Sequence, residues 1–203
     1  MKQVFLYIHG KGGSADEAKY YQALFKNAEV VGLDYIGQTP WDTKEEFNEA
    51  YRRLSKQYDD ISLIANSIGS YFSMNAFSGA NIGRAFFISP IVDMTKLISD
   101  MMHWAGVDEK ELQQKQKIVT PFGETLSWDW LCYVRNNPID WHVPTDILYG
   151  ENDNLISFDT ITAFTKQHHA TLTVMPNGEH WFHTDEQLKF VDDWLGQCLK
   201  KEM

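Results

Sequence analysis

Asp60-Ile61-Ser62-Leu63-Ile64-Ala65-Asn66-Ser67-Ile68-Gly69 is the stretch that decides how this 203-residue chain is read. Its first seven residues are mostly apolar, with no polar residue recurring at every second place. That is the pattern of a strand covered on both faces, and hence of a parallel sheet. Ser67–Ser78 then reads as a helix, so strand passes into helix through Ser67. A turn that tight needs small residues two before and two after the serine, and these are Ala65 and Gly69. It pushes the Ser67 hydroxyl out over the strand ends, at a helix N-terminus, in the pattern of a nucleophile elbow. Taken alone, the same residues also suit a serine that merely caps its helix.

Five more segments share the strand pattern: Gln3–His9, Glu29–Asp34, Gly83–Ser89, Thr145–Tyr149 and Ala170–Met175. Helical stretches separate most of them. Ser14–Asn27 opens with Ser14 and has Glu17 three residues later, a capping-box spacing. Trp41–Tyr58 has Asp42 or Thr43 as its start signal, and its Phe47, Tyr51 and Leu54 fall at helical intervals. Ser157–His168 and Asp185–Lys200 complete the set. Strand–helix alternation with right-handed crossovers predicts an α/β fold of about six mainly parallel strands, doubly wound by helices.

One interval breaks the alternation. Residues 93–141 show no clear strand, whereas Met94–Ala105, Asp108–Lys117 and Leu126–Asn136 look helical. So long an unstructured loop would be unusual, which predicts a small helical cap inserted into one domain spanning 1–203. It holds Trp104, Trp128, Trp130 and Trp141, four of the seven tryptophans, either packing the insertion or lining a pocket.

The composition excludes several classes. A net charge of −10 speaks against a phosphate-backbone binder, so no nucleic acid partner is expected. No apolar run approaches the roughly 20 residues of a membrane span. The first residues run from one lysine into a strand-like segment, without a signal-peptide pattern. Cys132 and Cys198 suit two reduced thiols, and the expected location is cytoplasmic. His168 and His169 are adjacent rather than spaced as ligands, so no metal site is expected.

Two further motifs bear on Ser67. His9-Gly10-Lys11-Gly12-Gly13-Ser14 follows the first strand, and a glycine-rich turn there can aim N–H groups at an anion. With Asp34 about 20 residues on, the same glycines also fit a dinucleotide-binding outline, although no Lys-Ser/Thr closes a P-loop. The other motif is a pair of turns. Gly150-Glu151-Asn152-Asp153 and Gly178-Glu179-His180 each follow a strand, which places Asp153 and His180 on the same sheet edge as Ser67. The order serine, acid, histidine decides between the two readings of the glycines.

With these residues in hand, the chain resembles the α/β-hydrolase superfamily over its whole length. His9-Gly10-Lys11-Gly12-Gly13, Gly32-Leu33-Asp34-Tyr35-Ile36-Gly37, Ala65-Asn66-Ser67-Ile68-Gly69 and the Asp153 and His180 turns carry the resemblance. The antiparallel strands that usually open that fold are missing, so a compact version is implied. Ala65 departs mildly from the usual glycine and meets the same steric need. The resemblance implies acyl transfer by Ser67, His180 and Asp153, with Asp93 as a second candidate acid. The backbone N–H groups of Lys11 and Ile68 would form the oxyanion hole, and Asn66, Trp104, Trp128 and Trp181 would contact substrate. It implies a small-molecule acyl substrate (ester, thioester or amide) and no cofactor. The alternatives are a non-catalytic relative that binds a ligand or partner in the same pocket, and a dinucleotide-binding domain.

Overall fold

The computed structural model describes residues 2–26 and 28–200. In chain order it begins with β1 (Gln3–Ile8), a 3-10 turn (Ala15–Glu17), α1 (Ala18–Gln22), β2 (Glu29–Gly32) and α2 (Pro40–Leu54). There follow β3 (Asp60–Asn66), α3 (Ile68–Phe77), β4 (Ala85–Ile88), α4 (Met94–Ala105), α5 (Glu109–Lys115), β5 (Lys117–Val119) and β6 (Thr125–Ser127). The rest is α6 (Trp128–Asn136), β7 (Thr145–Gly150), α7 (Phe158–His168), β8 (Thr171–Met175) and α8 (Asp185–Lys200). Two compact units divide the chain: Met1–Val92 with Asp140–Met203, and Asp93–Ile139.

The first unit is built on six strands in the order β2-β1-β3-β4-β7-β8, with every neighbouring pair parallel. The chain steps from β1 out to the edge strand β2, then returns to the other side of β1 with β3. The winding direction therefore reverses between β1 and β3, and the crevice beyond their carboxyl ends is where such sheets place their sites. Tyr7 pairs with Ile64 and Asn66 with Ile88, so the ends of β1, β3 and β4 are level.

Both faces of the sheet are covered, which is why the strands read as continuous apolar runs. Phe5, Tyr7, Ile64, Phe86, Ile88 and Leu148 share one face, in one cluster with Tyr21 of α1, Phe25 just after it, and Val191, Trp194 and Leu195 of α8. Residues of the other parity, Leu6, Ile8, Leu63, Phe87 and Ile147, are equally buried.

The structure redraws several expected boundaries. β2 stops at Gly32 rather than Asp34, and position 32 admits only glycine, because a Cβ there would stand 2.1 Å from the carbonyl oxygen of Ala15. The helix expected over Ser14–Asn27 is a 3-10 turn followed by five α-helical residues; Asn27 itself lies outside the described residues. The Gln22 side chain ends that helix, donating to the carbonyls of Phe25 and Ala28 and accepting from Val30 N–H. α2 starts at Pro40, with the Thr39 hydroxyl accepting from Asp42 N–H, so Thr39 rather than Asp42 or Thr43 is its cap.

The second unit is not wholly helical. Lys117–Val119 and Thr125–Ser127 form an antiparallel hairpin where no strand was expected. A turn over Thr120–Gly123 joins them, with Gly123 at φ +87° and its N–H donating to Thr120 O at 3.1 Å. Leu112, Leu126 and Leu131 are fully buried in this unit.

Candidate active site

Ser67 sits between β3 and α3 at φ +50°, ψ −121°, in backbone territory that a side chain rarely occupies. Such strain persists only where the surroundings impose it. Here Ser67 N–H donates to Ile88 O at 3.0 Å, and Ser67 O accepts from Ile91 N–H at 3.2 Å. The small residues expected around it have their reason. A Cβ on Gly69 would stand 2.5 Å from the carbonyl oxygen of His9, and Ala65 is fully buried. α3 starts one residue later, so the N–H of Ile68 lies in its first turn and has no acceptor within the helix.

Three side chains meet in one hydrogen-bonded line. Ser67 Oγ lies 2.8 Å from His180 Nε2, and His180 Nδ1 lies 2.7 Å from Asp153 Oδ2. The Asp153 side chain is fully buried and the His180 imidazole is 13% exposed. A carboxylate only accepts, so Nδ1 carries the proton and Nε2 is left to accept the serine O–H. Oδ1 of Asp153 is held separately, accepting from the N–H groups of Leu155 at 2.8 Å and Ile156 at 3.0 Å.

The turns that carry the acid and the base are joined to each other. Asn152 N–H donates to Gly178 O at 2.7 Å, and Glu151 N–H to Met175 O at 3.0 Å. A Cβ on Gly150 would lie 2.5 Å from Glu179 O, so only glycine lets the His180 turn settle on the end of β7. Tyr149 braces the loop after Asp153 by donating to Ile156 O at 2.8 Å. Its burial, and then the Asp153 charge, push its phenol up to about 12.

A cleft of about 720 Å³ opens beside Ser67 and His180, in the size range of small-molecule sites. Lys11, Asn66 and Trp181 are among the residues that line it. Trp181 directly follows His180, is 73% exposed, and stacks on His183 with ring centroids 4.4 Å apart. Tyr20, Tyr21, Leu188 and Val191 also line the cleft and were not foreseen, since they reach it from α1 and α8 by tertiary packing. The Asn66 NH₂ group donates to the Tyr7 hydroxyl at 2.9 Å, while its Oδ1 is buried without a hydrogen-bond partner among the described residues. Trp104 and Trp128 lie in the second unit, in α4 and at the start of α6.

Two competing assignments meet physical objections. Asp93 caps α4, its Oδ1 accepting Lys96 N–H at 2.8 Å; Asp153 is the carboxylate on His180. The glycine turn closes by Gly13 N–H donating to Gly10 O at 3.2 Å, with Gly12 at φ +76°. A dinucleotide would need free N–H groups and a helix N-terminus after it. Instead Ser14 N–H donates to the Glu17 carboxylate, an anion placed where a pyrophosphate would approach. Among the described residues, no three His, Cys, Asp or Glu side chains cluster to hold a metal ion.

No family model matches this sequence, and no curated protein matches it. Solved structures do match its fold. Est1E from Butyrivibrio proteoclasticus superposes with a TM-score of 0.75 at 16% identity, covering 98% of this chain and 88% of that one. The alpha/beta hydrolase domain-containing protein 10 from mouse gives 0.74 at 13% identity, over 98% and 90% of the two chains. ClbQ from the colibactin NRPS/PKS pathway gives 0.62 at 17%, over 99% and 98%. The chain has the fold of the α/β-hydrolase superfamily, in a form whose main sheet has six parallel strands. No helix among the described residues is long and apolar enough to cross a membrane.

Proposed function

We propose that this chain is a serine hydrolase that cleaves an ester, thioester or amide of a small to medium acyl group, with a carboxylester as the first choice. The observation that carries the reading is the unbroken line Ser67 Oγ, His180 Nε2, His180 Nδ1, Asp153 Oδ2 at the mouth of the cleft. His180 takes the Ser67 proton as the oxygen attacks the acyl carbonyl carbon. Asp153 holds the imidazole tautomer and stabilises the imidazolium that forms. The oxyanion is received by two backbone N–H groups, that of Ile68 in the first turn of α3 and that of Lys11 in the glycine turn. His180 returns the proton to the leaving group, and then activates the water that hydrolyses the acyl-enzyme.

The size of the cleft, with Asn66 and Trp181 in its lining, supports a compact substrate. Est1E, one of the structures with this fold, has also been solved with ferulic acid bound. A hydroxyl nucleophile, a base and an orienting acid in register have no purpose in a pure binding module.

Turnover of p-nitrophenyl esters of increasing chain length tests this reading. Wild type should hydrolyse the shorter esters, and Ser67→Ala should lose about 10³-fold or more in kcat. Equal rates for the two proteins would remove the reading.

A further inference from the structure

In the wall of the cleft, which Glu17 and Asn66 both line, three polar side chains join into one hydrogen-bonded tie. Asn66 Nδ2 donates to the Tyr7 hydroxyl at 2.9 Å. That hydroxyl donates in turn to Glu17 Oε2. The other carboxylate oxygen, Oε1, accepts Ser14 N–H at 3.1 Å. One end of the tie is the residue before Ser67, two before Ile68. The other end is the residue that follows the glycine turn, three after Lys11. The tie thus spans the two segments that carry the proposed oxyanion donors.

Its middle member has no freedom to wander. Tyr7 is fully buried in β1, and its ring stacks on Tyr21 with centroids 4.9 Å apart. Burial, then Tyr21 and Glu17, push its phenol well above the usual tyrosine range, so it stays a donor toward Glu17. Glu17 also presses on the glycine turn itself. A Cβ on Gly13 would stand 2.6 Å from Glu17 Oε1 and 2.9 Å from His9 Cβ. The carboxylate and the turn are therefore packed one against the other, with room at position 13 for glycine alone.

We infer that Glu17, acting through Tyr7 and Asn66, is a positioning residue that fixes the spacing between the Lys11 and Ile68 amides. The inference rests on the hydrolase reading above. Donors must meet the oxyanion within a few tenths of an ångström, and a shift of about 1 Å can cost 100-fold. A side chain that only capped the 3-10 turn would affect stability and leave turnover alone.

The test uses Glu17→Gln, Tyr7→Phe, their double variant, and Gly13→Ala, assayed with a p-nitrophenyl ester. A glutamine oxygen cannot serve both Tyr7 and Ser14 while its NH₂ group faces one of them. Gly13→Ala removes no donor or acceptor, and its methyl group crowds both the Glu17 carboxylate and His9. Each single variant should lose about 10- to 100-fold in kcat, with KM within about twofold. The midpoint of the kcat/KM pH profile should stay where wild type has it, because His180 is not part of the tie. The double variant should be no slower than its slower parent, because both changes cut the same connection.

Folded variants with kcat within about twofold of wild type would overturn the inference, as would losses that multiply or fall on KM alone. If Tyr7→Phe does not fold, Glu17→Gln decides the matter. The two readings fail separately. Wild type that takes no fluorophosphonate at Ser67 removes the hydrolase and the tie together. Labelled wild type, with variants of undiminished kcat, removes the tie only.

Discussion

Replacing Asp153 by asparagine exposes the reasoning about the site most fully. The change is isosteric, and the orientation of the new amide is fixed by the backbone. Oδ1 of Asp153 accepts two N–H groups, from Leu155 and Ile156, while Oδ2 accepts from His180 Nδ1. Turning the NH₂ group toward those amides would set donor against donor twice in a fully buried position. The amide oxygen therefore stays with the backbone, and the NH₂ group faces His180. The imidazole must then accept at Nδ1 and carry its proton on Nε2, the wrong tautomer for receiving the Ser67 proton. In the serine-protease triad the same acid-to-amide substitution lowers kcat by about 10⁴, or about 5 kcal/mol of transition-state stabilisation. The loss expected here is of that order, with KM little changed and Tm within a few degrees of wild type. Steady-state turnover of a p-nitrophenyl ester across a pH series, with a thermal melt of the same sample, reads both. Asp93→Asn serves as the comparison: it touches the cap of α4 and should leave kcat within about twofold. Asp153→Asn with turnover within tenfold of wild type would refute the assignment of the acid.

Other substitutions report on the scaffold. Gly69→Ala brings a methyl group to 2.5 Å from the His9 carbonyl and 2.9 Å from Ile8, so it should lower stability by about 1–3 kcal/mol and depress turnover. Arg84 and Asp146 form an ion pair at 2.6 Å with side chains only 14% and 8% exposed. Arg84→Ala strands the buried carboxylate and should cost about 3–5 kcal/mol in denaturant unfolding. Tyr21, Tyr35 and Tyr149 all have phenols raised above the ordinary value near 10, mainly by burial. Above that pH the unfolded chain releases protons that the folded one keeps, so stability should fall as pH rises from about 10 toward 12. Tyrosinate absorbance for these buried rings should grow together with unfolding; a smooth titration near 10 in a folded chain would contradict their burial.

Much of this architecture was legible because steric demands leave marks in sequence. Ala65 and Gly69 flank Ser67 because the chain crosses itself there, and Gly150 and Gly178 mark two turns that lie one on the other. Strands buried on both faces lose the polar alternation, so β1, β3 and β4 stand out as apolar runs. The β5–β6 hairpin was hidden because strands of three residues are too short to show a period. Thr120-Pro121-Phe122-Gly123, a turn sequence between two β-prone triplets, was the signal that could have disclosed it. The shortened α1 was hidden because Gln22 ends it through a side chain. The tie from Glu17 to Asn66 leaves no local trace, since its members come from three elements that only folding brings together.

The central claim is that Ser67 is an activated nucleophile. A fluorophosphonate probe reacts with such a serine and spares an ordinary one. Intact mass and peptide mapping should show one adduct per chain, carried by Ser67, formed by wild type and absent from Ser67→Ala. No adduct on folded wild type, or equal labelling of Ser67→Ala, would contradict the account.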